Sequence, residues 1–67
     1  MHIIQLAEFF TGIISKAEFE TLIEEVARRE LPNCIIISIS YNNDGVKVRT
    51  SEGDIELQVD WNEIILT

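Results

Sequence analysis

The chain has too little cysteine for covalent support. Its single cysteine, Cys34, has no partner for an intramolecular disulfide, and one Cys with one His cannot build a structural zinc site. Basic residues are scarce as well: five Lys and Arg stand against twelve Asp and Glu, a formal net charge of −7. Binders of nucleic acid carry a basic footprint for the phosphates, so that partner class is excluded. No Lys or Arg precedes Lys16, and Gln5 and Glu8 interrupt the opening apolar run. A secretory signal needs a positive leader and a membrane span needs roughly 20 apolar residues, so neither is expected. With a lone thiol, the expected location is cytoplasmic. The three glycines fall at turn or cap positions, which leaves no loop to cradle a phosphate.

What the chain does have is apolar surface. Hydrophobic residues make up 46% and charged residues 25%, a globular balance for one small domain over residues 1–67. A chain of this size buries only about 60% of the surface it exposes when unfolded, so a lone core is marginal. Stability must come from packing, from association, or from both.

The firmest local signal is a helix over residues 16–30. Ser15 followed by Glu18 forms a capping box, and Ile14 and Phe19 fall at the positions of a hydrophobic staple. Phe19, Leu22, Ile23 and Val26 then repeat on one face. Glu24–Arg28 and Glu25–Arg29 are favourable i,i+4 pairs, and Pro32 ends the run.

Residues 2–11 fit the same wheel. Ile3, Leu6, Ala7, Phe10, Ile13 and Ile14 share a stripe, with Ile4 and Phe9 on its two flanks and Gly12 as a stop. This predicts a second, short helix with an arc too wide for one neighbour to cover.

After Pro32 the period changes to two. In "CIIISISY" Ile35, Ile37, Ile39 and Tyr41 point one way, and Cys34, Ile36, Ser38 and Ser40 the other. "NNDG" and "SEGD" are turns, and the third strand "DIELQVDW" has Ile55, Leu57, Val59 and Trp61 inward. On the opposite face, Lys47 and Arg49 look toward Glu56, Gln58 and Asp60. The tail "NEIILT" reads either as a strand extension or as one helical turn. The expected fold is α+β, with two N-terminal helices on one face of a three-stranded antiparallel meander spanning about 33–61. Its helix–strand–strand–strand order matches double-stranded-RNA-binding domains in topology alone. Those domains use a basic helix N-terminus, and the tail here has no Lys or Arg.

No constellation carries chemistry. The carboxylates sit on an exposed helix side and in turns, without the cleft that acid–base catalysis needs. His2 lies near a terminus and Cys34 at a strand start, a poor basis for a nucleophilic pair. No catalytic, cofactor-binding or metal-binding residue is expected, and no cofactor. The expected function is a non-enzymatic protein-interaction or adaptor module, homodimeric through its N-terminal helix, with Ile4, Phe9 and Ile13 at the interface. The alternative is an acidic inhibitor or nucleic-acid mimic that covers a basic site on a target protein.

Overall fold

The computed structural model describes residues 2–67; Met1, the first residue of the expected 1–67 domain, lies outside them. In order, the elements are β1 (His2–Gln5), a 3-10 turn (Leu6–Glu8), β2 (Gly12–Ile14), α1 (Lys16–Glu30), β3 (Ile36–Asn42), β4 (Gly45–Thr50), β5 (Gly53–Gln58) and β6 (Ile64–Leu66). A four-stranded sheet has the order β1-β5-β4-β3, and a separate two-stranded sheet joins β2 to β6.

Helix α1 forms where expected. Ser15 caps it, its Oγ accepting from the Glu18 N–H at 3.1 Å. The box is not fully reciprocal: the Glu18 carboxylate accepts from the Ser15 hydroxyl at 2.8 Å rather than reaching the Ser15 amide. Phe19, Ile23, Val26 and Ala27 are buried against Val46 and Val48 of β4 and Ile55 and Leu57 of β5. At about 1.5–3 kcal/mol for each large apolar side chain removed from water, this single layer supplies most of the drive to fold.

The expected two-helix, three-stranded fold is overturned. Among the described residues there are one α-helix and six strands, and the four-stranded sheet is mixed rather than an antiparallel meander. Residues 2–11 are not a helix. They form β1, parallel to β5 with Ile4 opposite Leu57, followed by one 3-10 turn. The segment's apolar residues satisfy alternation as well as a helical stripe: Ile3 and Gln5 are exposed, while His2 and Ile4 are half-buried. Long-range hydrogen bonding decides between the two patterns. Without β1, β5 would be left as a bare sheet edge, and parallel pairing satisfies both backbones. With the helix gone, the wide arc also disappears, because Leu6 is fully buried and Ile4, Phe10 and Ile14 pack on the core.

The tail takes neither of its two expected forms alone. Glu63 and Ile64 donate to the Asp60 carbonyl in one turn, and β6 then runs parallel to β2, with Ile13 beside Ile65. Gly12 donates to the Glu63 carbonyl and Thr67 to that of Ile14, so the chain end is stitched to the segment before α1.

Strand β3 departs from simple alternation. Its register against β4 shifts between Ile36 and Ser38, where one extra residue makes a bulge. One residue of slip moves side chains to the other face. Ile39 and Tyr41 therefore face the helix as expected, lying opposite Val48 and Val46. Ile35 and Ile37, expected inside, are 70% and 63% exposed, and Cys34 and Ile36 turn inward in their place.

Candidate interaction surfaces

His2 and Cys34, the two residues weighed as a nucleophilic pair, take separate partners. His2 reaches the helix end, with Nδ1 2.8 Å from Glu30 Oε1. Cys34 is buried with its Sγ 4.0 Å from the Ala27 carbonyl oxygen. Among the described residues, no group of three His, Cys, Asp or Glu is placed to hold a metal ion, and no helix is long and apolar enough to cross a membrane.

The three expected interface residues occupy two places. Ile4 and Phe9 come together with Ile3 and Val26 in a shallow groove of about 340 Å³ between β1 and α1. Glu8, Arg29 and Glu30 also line it. Arg29, expected to pair with Glu25, instead lays its guanidinium over the Phe9 ring, 5.7 Å from the centroid. Such a contact contributes about 0.5–1 kcal/mol at an exposed site, and here it holds the ring at the rim of the groove. Ile13 does not line this groove. It stands on β2 beside Ile65, and the two are 69% and 50% exposed.

On the outer sheet face the expected charge matching is present in modified form. Lys47 lies opposite Glu56 and Arg49 opposite Asp54, but the ion pair formed is diagonal, Lys47 Nζ to Asp54 Oδ2 at 3.6 Å. Gln58 lies opposite Gly45, and Asp60 falls beyond the end of β5. An exposed pair of this kind adds little stability.

A second, polar depression of about 660 Å³ lies at the turn between β3 and β4. Asp44, Glu56 and Asp60 contribute carboxylates, and no Lys or Arg lines it among the described residues. Its shape is fixed locally. Asn42 Oδ1 accepts from the Asp44 amide, Asp60 Oδ1 accepts from the Asn62 amide, and the Trp61 indole N–H donates to the Asn42 carbonyl at 2.9 Å.

The periodicity of "CIIISISY" does not single out the free edge of β3. Among the described residues it is the outermost strand of the sheet on its side, with β4 as its one neighbour. A signal was nevertheless present, since residues 34–43 carry no formal charge in a chain of net charge −7.

Comparison with protein-family models, with curated proteins and with solved structures finds no match.

Proposed function

We propose that this chain is a non-enzymatic protein-interaction module, acting in the cytoplasm, whose contacts with a protein partner are mainly apolar. One observation carries the reading. Ile3, Phe9, Ile13, Ile35, Ile37 and Ile65 remain exposed although the core already takes up Leu6, Phe19, Ile23 and Ile64. Single exposed apolar residues are ordinary, but clustered ones mark contact surfaces. Ile3 and Phe9 share a groove with Ile4, and Ile13 sits directly beside Ile65. Phe9 is the natural anchor, being a large ring held in place by Arg29.

The acidic-inhibitor reading is supported by a different feature, the depression that holds Asp44, Glu56 and Asp60 without a basic side chain. Salt separates the two, because exposed charge contacts are screened within about 8 Å at physiological ionic strength and apolar ones are not. The test is capture on the immobilised chain from a source-cell lysate, at low salt and at about 0.5 M salt. A protein retained at both salts and lost with Phe9→Glu supports the apolar reading. One indifferent to Phe9→Glu but released by salt favours the acidic reading. If nothing is retained at either salt, the proposal fails.

A further inference from the structure

We infer that β3 is a contact between two copies of this chain, paired antiparallel across a two-fold axis through Ser40. This deepens the interaction-module reading and rests on it.

The backbone of β3 is half unused. The Ser51 amide donates to the Ile35 carbonyl, and the Asp44 carbonyl accepts from Val59 on the β5 side. Backbone groups alternate sides along a strand, so the odd residues of β4 turn toward β3. The register then assigns the amides and carbonyls of Ser38, Ser40 and Asn42 to β4. Those of Ile39 and Tyr41 point away from the sheet, a row of donors and acceptors that can template another strand.

Charge selects the occupant. A second copy brings the same net charge of −7, so a face rich in carboxylates resists its twin. The uncharged run of residues 34–43 lets two such chains meet without placing charged side chains opposite each other. The other edge, β1, has only four residues and adjoins Glu8 and Glu30.

The bulge selects the register. Regular pairing is confined to residues 38–42, and the antiparallel match that uses all five is centred on Ser40. It sets Ile39 against Tyr41 of the second copy, twice, on the helix side of the sheet. β-Branched and aromatic residues make favourable cross-strand pairs. Ser38 meets Asn42, and Ser40 meets its own twin. A centre on Ile39 would instead run Tyr41 into the bulged residue Ile37. The product is one continuous sheet of two four-stranded halves.

The test is sedimentation equilibrium of the full chain from about 1 to 200 µM, a range that brackets micromolar dissociation constants. A dimer is expected. Ser40 is exposed on the outer face, so Ser40→Lys keeps the fold by circular dichroism. It places two ammonium groups face to face and weakens dimerisation at least about tenfold. Mixing Ser40→Lys with Ser40→Glu restores association, because residue 40 meets only itself. Oxidised Ser40→Cys gives a covalent dimer, since a pair of this type brings Cα atoms to about 4.5 Å. A wild-type chain that stays monomeric throughout, or a dimer that Ser40→Lys leaves intact, overturns the β3 contact. If that surviving dimer falls to Phe9→Glu, the interaction reading stands and only its surface is wrong.

Discussion

Gly45 packs directly against the backbone of Leu57, and a methyl group in place of its α-hydrogen would collide with the Leu57 carbonyl. The same Cβ would come within 2.8 Å of the Val59 amide nitrogen, and Gly45 has φ of +147°, a region closed to other residues in practice. Its carbonyl neighbour Asp44 accepts from Val59 at 2.9 Å, so the turn cannot shift without breaking that bond.

Gly45→Ala should therefore combine backbone strain with overpacking, for a loss of about 3 kcal/mol or more. That corresponds to a fall in melting temperature of roughly 15 °C or more in a domain of this size. Gly53 is a built-in control. Its φ is +120°, but a Cβ there meets nothing within 4 Å. Gly53→Ala should cost strain alone, about 1–2 kcal/mol. Thermal melts of the two variants should differ clearly, and equal losses would mean that the contact between Gly45 and Leu57 is absent.

The bulge in β3 gives a sharper test of register. Leu57→Asp and Val48→Asp bury an unpaired charge and should unfold the domain. Ile37→Asp, which simple alternation also places in the core, should leave the melt within about 0.5 kcal/mol of the parent, as surface changes do. Ser38→Asp and Gln58→Glu, both exposed, should behave like Ile37→Asp. Unfolding by Ile37→Asp would restore the unbroken alternation.

These residues also mark what the sequence reveals and what it hides. The capped helix is legible because its signals are local: Ser15, Glu18 and the Phe19–Ile23–Val26 face lie within a few turns. The cores of β4 and β5 are legible because Val46, Val48, Ile55 and Leu57 alternate without interruption. β1 is not, since its partner β5 lies some fifty residues away and no local window distinguishes "HIIQ" in a helix from the same residues beside Ile55 and Leu57. The bulge is hidden for another reason. A run of four isoleucines and two serines satisfies either face, so only the pairing with Thr50 and Arg49 fixes which isoleucines go in. The three residues expected at an interface divide in the same way. Ile4 and Phe9 come together across a strand and a turn, whereas Ile13 joins Ile65 through the parallel β2–β6 pair.

The helix cap offers a modest, well-bounded prediction. Ser15→Ala removes the acceptor of the Glu18 amide and should cost on the order of 1 kcal/mol, or roughly 4–8 °C in melting temperature. Because the Glu18 carboxylate bonds the Ser15 hydroxyl and not a backbone amide, Glu18→Ala should cost less than Ser15→Ala. Chemical denaturation of both variants checks the order, and the reverse order would point to a fully reciprocal box.

The pH dependence turns on Tyr41, the chain's one tyrosine, so its phenolate absorbance reports a single site. Its ring packs with Phe19 and Trp61, with centroids 6.2 and 6.3 Å away, and the Lys16 ammonium stands 5.7 Å from its centre. Partial burial raises its pKa above the ordinary 10.0, and the nearby Glu20 carboxylate raises it further. The unfolded chain therefore loses the phenolic proton before the folded one does. Below pH about 10 both states keep the proton and the packing around Tyr41 contributes in full. As pH rises from there through the folded pKa, that contribution is lost and the melting temperature should fall. Spectrophotometric titration should place the inflection above 10.0, and Glu20→Gln should bring it partway back, since burial is the larger cause. An inflection at or below 10.0 would show that Lys16, whose charge favours the phenolate, outweighs burial and Glu20 together.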